Sequence, residues 1–430
     1  MSNGRRVAVN FGWLLGGRGG AAVATLAATV LTARALGAES FGAVVLVHTS
    51  VLVIRQLCTV KTAEAVIRFG VARRDPGRGD AWPRLLAGTV RIDVLTALLA
   101  ALAGAAANLL SGPLLGLDPA LQTAAWCYVP ALALTATGSA RGALRVLDRY
   151  ALLGGLLSIG PLVRLMGVVF AAGTGAPAHW YVIIWAAGLL VEHAVVLGFA
   201  WRALRPDMPA IAAHSLGQVF ELEPRLKRFL KVVYWQSNLD VFPRHVVTLI
   251  VGAYFGAAGA GVFRLARDLA EVLGKPVALL RQAIFPDLSR LWTRDAQRFV
   301  RLTRQVSTAM LAVGGVFVAA ALILGAPLLE LLAGPEYRRG AAVLALLLAA
   351  AALELGGAAL RPASYALGRE GTVLGIQACA VLIYIPVFFL LAGALGIQAA
   401  GWAAVAASAV SLAGLTWLVR RSVRLATESR

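Results

Sequence analysis

The sequence predicts an all-α membrane protein of about 12 transmembrane helices, arranged as two pseudo-symmetric six-helix lobes. Three observations predict it. Of 430 residues, 59% are hydrophobic and 14% are charged, and the mean hydropathy is +0.78. Soluble domains are about 45–50% apolar and about 25% charged, and a soluble fold of this size could not hide so much apolar surface. The apolar residues also fall in runs that match a bilayer's thickness, and the basic residues collect in alternate gaps between the runs.

A spanning helix needs about 20 predominantly apolar residues. Runs of that length cover roughly 10–35, 41–68, 85–110, 121–145, 152–174 and 180–203, and then 229–253, 259–284, 303–326, 340–360, 372–394 and 397–419. Arg5 and Arg6 precede the first run like the start of a signal peptide. The run continues from Val9 to Leu36, however, too long for a cleaved leader, so it is predicted as a retained first span. The polar interval with Pro206, Pro209 and Pro224 separates the two sets. The predicted organisation is an N-terminal lobe 1–203, a cytoplasmic linker 204–228, a C-terminal lobe 229–420 and a cytoplasmic tail 421–430.

The net charge of +19 orients these spans. Arg73, Arg74, Arg78 and Arg84, then Arg145 and Arg149, then Arg225, Lys227 and Arg228 occupy alternate gaps, followed by Arg290, Arg294, Arg298 and Arg301, by Arg369, and by the tail. The intervening gaps near 112–119, 174–177, 256–259 and 393–396 hold no Lys or Arg; only 334–340, with Arg338 and Arg339, departs from this. Basic residues stay on the cytoplasmic side, so both termini are predicted inside. Because the charge lies between spans and not on one soluble face, it does not point to nucleic acid. Cys58, Cys127 and Cys379 are scattered through apolar runs, with neither disulfide nor metal-ligand spacing, and no cofactor is called for.

A faint repeat relates the halves. Leu36-Gly37-Ala38-Glu39-Ser40-Phe41-Gly42-Ala43-Val44 joins the first two spans, and Phe255-Gly256-Ala257-Ala258-Gly259-Ala260-Gly261-Val262-Phe263 joins the seventh and eighth. Six spans per half give the repeats the same orientation.

Charged groups within spans carry the candidate chemistry, because an ionisable residue there costs about 2.5–3.5 kcal/mol on insertion scales and so faces a wet cavity or a partner. In the first span, Gly12, Gly16 and Gly20 form a small-residue stripe for close packing, and Arg18 points away from it. Its glycines lack the strand–loop–helix context of a phosphate loop. In the second span Arg55 lies about 21 Å from the start near Phe41 at 1.5 Å per residue. Lys61, Glu64 and Arg68 are expected to follow on one helical face, and Arg68 reaches the headgroups. The eighth span has the densest pattern. Arg264, Arg267, Asp268, Glu271 and Lys275 share one face, with opposite charges four residues apart in three pairs. A ladder of structural ion pairs and a hydrated binding face both account for it. Asn238, Asp240, Arg244 and His245 lie in the seventh span, Arg164 in the fifth, Glu192 and His193 in the sixth and Glu354 in the tenth; for each of these alone, pairing between helices is the simpler role. Arginine dominates, and a guanidinium matches phosphate oxygens through two parallel hydrogen bonds. The predicted substrate is therefore anionic and phosphorylated.

Several segments together resemble the bacterial polysaccharide-export flippases, the O-antigen-type lipid-linked oligosaccharide transporters of the multidrug/oligosaccharidyl-lipid/polysaccharide (MOP) superfamily. They are Ala33-Arg34-Ala35-Leu36-Gly37 with Phe41-Gly42; Asp240 followed by Val251-Gly252-Ala253-Tyr254-Phe255-Gly256 and Gly261-Val262-Phe263; and Ile284-Phe285-Pro286-Asp287-Leu288-Ser289. The chain departs from that pattern at Val262-Phe263 and at Pro243-Arg244-His245. The resemblance implies a transporter of the inner membrane that serves cell-surface polysaccharide biosynthesis, with its two lobes around a cationic central cavity. Its partners would be a polyprenyl-diphosphate-linked glycan, membrane lipids and the proteins of polysaccharide assembly, with the chain acting as a monomer. It also implies substrate binding by Arg18, Arg55 and Arg264, to which the residue reading adds Lys61 and Arg267. Glu64, Asp240, Asp268 and Glu271 are the candidates for ion coupling. A multidrug antiporter of the same superfamily is the alternative, although arginine suits an organic cation poorly. A membrane glycosyltransferase or glycan polymerase fits less well, because Glu39, Asp118, Glu330 and Glu336 in the outer loops form no catalytic pair.

Overall fold

The computed structural model describes residues 3–74, 80–115, 118–239 and 241–428, with side chains for those outside 3–18, 111–115, 239, 244, 272–289, 292–294, 296 and 424–428. The described chain is helical almost throughout. In order come α1 (Asn3–Cys58), α2 (Thr62–Gly70), α3 (Ala81–Leu115), α4 (Pro119–Ala125), α5 (Tyr128–Ala133), α6 (Gly138–Val146), α7 (Tyr150–Gly173), α8 (Ala178–Leu204), α9 (Met208–Ala213), α10 (Leu216–Leu222) and α11 (Arg225–Leu239). A π-helical turn at Phe242–Val246, which contains Pro243, leads into α12 (Val247–Arg294). Then follow α13 (Ala296–Ala333), α14 (Ala341–Gly356), α15 (Leu360–Ala366), α16 (Glu370–Leu395) and α17 (Gln398–Glu428). Among the described residues, nine helical stretches are long and apolar enough to cross a membrane; one of them, Gly19–Arg73, holds 55 residues and bends at Gly37.

The chain forms two compact units: residues 1–36 with 43–246, and residues 37–42 with 247–430. In the first unit, helices meet through small residues and apolar cores. Gly160 of α7 and Gly188 of α8 lie against each other's backbone, so a Cβ on either would collide with the other's carbonyl oxygen, at 2.7 and 2.9 Å. Val66, Trp82, Leu86, Ala143, Leu204 and Ile211 form one core, drawn from α2, α3, α6, α8 and α9. The short helices α9 and α10 belong to the packing: Val219 of α10 is fully buried with Leu85 and Leu226. Ser215 and Gln218 start α10 with a capping box.

Two predicted spans are broken in this unit. The second stops at Cys58 and resumes at Thr62, and the fourth is divided into α4, α5 and α6. Pro130 inside α5 removes a backbone donor there. After it, the Thr135 hydroxyl turns back to the Leu132 carbonyl at 2.7 Å, and the helix resumes only at Gly138.

The second unit shows what the repeat encodes. Gly37 has φ 72° and ψ 175°, and Gly256 has φ 74° and ψ −179°. These left-handed backbones favour glycine, and each bends a long helix at the matching repeat position. The repeat's second glycines are reciprocal as well: a Cβ on Gly42 would strike the Ala257 carbonyl, and one on Gly261 would strike the Ala38 carbonyl. Glu336 accepts from the Ala38 N–H at 2.8 Å, and Phe41 packs near Tyr337, which ties residues 37–42 into this unit. Elsewhere, Phe299, Leu360, Val373, Leu415 and Leu418 form a core among α13, α15, α16 and α17.

The outward faces are apolar. Leu102 of α3 is 70% exposed, Phe170 of α7 74%, Ile323 of α13 75% and Leu390 of α16 80%. Surface of this kind is stable against lipid and not against water. The chain is a multi-pass membrane protein.

Candidate functional site

Each unit buries its own charged cluster. In the second, the arm of α12 beyond Gly256 presents Arg264 and Arg267, each 7% exposed. Arg264 Nε donates to Asp268 Oδ2 at 2.9 Å, and Arg267 Nε lies 3.3 Å from Glu271 Oε1. Two of the predicted pairs therefore form; Lys275, the third pair's base, has its side chain outside the described residues. Arg267 also donates through Nη1 to the Thr248 hydroxyl at 2.7 Å, and its Nη2 stands 4.0 Å from Asp268. Arg267 is thus held from several directions. Each guanidinium nevertheless buries one nitrogen without a hydrogen-bond partner, Arg264 Nη1 and Arg267 Nε, although the latter has the Glu271 carboxylate nearby. A buried, unsatisfied guanidinium N–H costs about 1–3 kcal/mol, more when charged, and the cost falls away when an anion takes it up.

In the first unit, Arg55 is half-buried near the end of α1, one turn before the break. Its guanidinium makes no hydrogen bond or ion pair among the described residues. It is close enough to Arg141 of α6 and Glu192 of α8 to feel both charges. Arg141 donates to Glu192 at 2.9 Å while its Nε is buried without a partner. His193, 1% exposed, bonds the Ala131 carbonyl through Nδ1 at 3.2 Å, which gives it a packing role. The cluster of two arginines and one carboxylate carries a net positive charge.

Other sequence candidates divide cleanly. Lys61 does not continue the Arg55 helix: it occupies the break before α2, where Nζ donates to Gln56 Oε1 at 3.2 Å. The expected single face from Arg55 to Arg68 is therefore interrupted. Glu64 and Arg68 are exposed on α2, and Arg68 covers the Phe229 ring at 4.8 Å. Asp240 and the side chains of Arg18 and Arg244 lie outside the described residues. Arg164 is 8% exposed and stacks 3.4 Å over Trp185, with Nη2 donating to the Thr29 hydroxyl at 3.2 Å. His48 meets the Tyr128 hydroxyl at 2.8 Å and the edge of Trp185 at 4.8 Å. This network engages a buried cation through a ring face and a hydroxyl, and it serves the packing of the unit.

Two residues here were not singled out from the sequence. Arg141 interrupts the fourth apolar run in Gly138-Ser139-Ala140-Arg141-Gly142, and Asp93 is the acid in the third run. A charge inside an apolar run was the available signal for both, with Arg91 near Asp93 and Arg145 near Arg141.

No protein-family model matches the chain. It is 25% identical over 355 residues to the inner membrane protein YghQ of Escherichia coli (strain K12), spanning 77% of this chain and 94% of that one. Among solved structures it matches the inward-facing conformation of a multidrug resistance MATE-family transporter of the MOP superfamily, with a TM-score of 0.74 at 14% identity over 95% of this chain and 96% of that one. It also matches the inward closed conformation of the lipid II flippase MurJ, with a TM-score of 0.69 at 11% identity over 95% and 87% of the two chains. The all-helical fold expected from the sequence is the one these two solved structures share.

Proposed function

We propose that the chain is a flippase that moves a polyprenyl-diphosphate-linked oligosaccharide from the cytoplasmic to the periplasmic leaflet of the inner membrane, for cell-surface polysaccharide assembly. The observation that carries this reading is Arg55, a half-buried guanidinium within a span and uncommitted to any described partner. Arg264 Nη1 adds a second unmet donor. Guanidinium donors in low dielectric favour an anion with planar oxygen pairs, and a diphosphate provides it. Each unit so carries a basic group free to take a phosphate oxygen, and Arg18 joins them in this reading. The inner-membrane relative and the fold shared with a lipid II flippase support the compartment and the lipid-linked class of cargo.

Both termini are cytoplasmic in this reading, and the lobes 1–203 and 229–420 alternate access around the linker 204–228. The sugar hydroxyls stay hydrated, which avoids several kcal/mol per unpaired group in hydrocarbon. The isoprenoid tail stays in lipid. With the cell interior negative, exporting each negative charge is downhill by about 2.3 kcal/mol per 100 mV.

The test is flipping of a fluorescent polyprenyl-diphosphate oligosaccharide in vesicles containing the purified chain. Arg55→Ala and Arg264→Ala are expected to slow it by about tenfold or more, while Arg68→Ala leaves it unchanged. Full flipping by well-folded Arg18→Ala, Arg55→Ala and Arg264→Ala proteins overturns the reading. The match to a multidrug transporter, at a TM-score of 0.74, favours a second reading, in which the same vesicles instead exchange an organic cation.

A further inference from the structure

The broken spans of the first unit enclose an acid that phosphate binding does not use. Asp93 lies in the middle of α3 and is 3% exposed. Its Oδ1 accepts from the Thr62 hydroxyl at 2.5 Å, and its Oδ2 accepts from the Ser139 backbone N–H at 2.6 Å. Thr62 is the first residue of α2 and Ser139 the second of α6. One carboxylate therefore holds the starts of two nine-residue helices, each of which resumes after a break. The approach depends on Gly138, where a Cβ would strike the Thr62 hydroxyl and fall 2.9 Å from Asp93 Oδ1.

Among the described residues Asp93 has no ion pair. The charged groups on the elements packed against α3 are otherwise placed. Glu64 and Arg68 of α2 and Glu221 of α10 are exposed, Arg141 of α6 pairs with Glu192, and Arg145 of α6 is half-buried. Tyr128 of α5 bonds His48, and Arg91 of α3 itself donates to the His214 carbonyl. The helices α4 and α9 contain no ionisable side chain. Among the described residues, the hydrogen bonds Asp93 accepts come from Thr62 and Ser139. An uncompensated carboxylate in this setting is strongly disfavoured and gains by binding a cation. The smallest cation is already provided for: the Ser139 hydroxyl oxygen is buried without a partner and stands ready to accept from a protonated carboxyl.

We propose that Asp93 is a proton-binding site that controls the starts of α2 and α6. When ionised, it grips both starts through charge-assisted hydrogen bonds at the positive ends of two helix dipoles. When protonated, it turns one oxygen into a donor toward Ser139 Oγ and relaxes its hold on both helices. The two starts lead directly to the basic cluster. Thr62 follows the break that begins after Arg55, and Arg141 lies two residues beyond Ser139. Proton binding therefore sets how closely Arg55 and Arg141 are held. The link to transport rests on the flippase reading; the site itself does not.

The test uses the full chain in lipid nanodiscs with no substrate. Infrared difference spectra and hydrogen exchange are recorded while the buffer is taken from neutral to mildly acidic. A carboxylic-acid carbonyl band is expected to grow in. Exchange around Thr62 and Ser139, corrected for its intrinsic pH dependence, is expected to rise about tenfold. Asp93→Asn should lack the band and exchange rapidly at every pH. Should that variant not fold, Ser139→Ala decides instead, because removing the acceptor must shift the band. Overturning results are exchange that does not respond to pH, a band that survives Asp93→Asn or ignores Ser139→Ala, or a response that follows sodium at fixed pH. None of these readouts involves a transported lipid. Their failure removes the Asp93 site and leaves the flippase reading standing, and absence of flipping does the reverse.

Discussion

The fourth span of each half is broken, and the two breaks are built from opposite materials. In the first unit, residues 134–137 interrupt the helix, and the gap is bridged by the Asp93 carboxylate with Thr62 and Ser139. In the second unit, residues 357–359 interrupt α14 and α15, and the gap is packed with hydrocarbon. Leu355 and Ala358 are buried against Met310, while Gly356 lies against Leu311 and Gly357 near Leu415. The Gly356-Gly357 pair relaxes the helix, and the Ala358 N–H still finds the Leu355 carbonyl at 2.9 Å. The apolar contacts that close this break do not titrate, although Glu354 and Arg361 flank it. The carboxylate that closes the other break does. The difference teaches that one architectural irregularity can be static in one place and titratable in another, according to a single side chain facing it.

The comparison can be broken or sharpened by substitution, and the largest effect is expected at Gly138. Gly138→Val drives a branched side chain into the Thr62 hydroxyl and Asp93, and should cost about 3 kcal/mol of stability, read as a lower thermal unfolding midpoint in detergent. Gly356→Ala is the matching change in the other break. There the obstacle is Leu311 Cγ, at 2.7 Å from the added Cβ, a side chain that can partly yield, so a loss of about 2 kcal/mol is expected. Thr62→Val keeps shape and removes one donor to Asp93; it should cost about 1.5 kcal/mol at neutral pH and less in acid, and a loss equal at both pH values would refute a charged acceptor. Met310→Ala, at a half-buried residue, should cost about 1 kcal/mol with no pH dependence at all. If that variant proved as pH-sensitive as Thr62→Val, the contrast between the breaks would fail.

Much of this was legible in the residues. Apolar runs placed every long helix, because hydrocarbon length is a strong constraint. The spacing of Arg264, Asp268, Arg267 and Glu271 gave two ion pairs, because four residues make one helical turn. The repeat, read as two like links between spans, falls on two bends of the same shape at Gly37 and Gly256. The break at 59–61 was not legible. Thr59-Val60-Lys61 contains neither proline nor glycine, and the helix restarts where a distant carboxylate receives Thr62. For the same reason Asp93 was missed and Lys61 was placed on a continuous face. Arg164 shows the converse: a charge inside a span that packs on an aromatic ring and donates to a hydroxyl, a setting that spacing alone does not reveal. What side chains share across distant segments decides such cases.

The paired glycines Gly42 and Gly261 carry a consequence of another kind. Each is pressed against a main-chain carbonyl, that of Ala257 or Ala38, and not against a side chain. When two side chains clash, trimming one makes room for the other, so a lineage can drift through compensated steps. A carbonyl cannot be trimmed. A larger residue at either glycine leaves the opposite strand of the joint with nothing to give up, and no second substitution there restores the fit. The joint works as a dovetail cut in the backbone itself. It confines positions 42 and 261 to glycine for as long as the two segments cross at this depth, and it leaves the side chains around them free to vary.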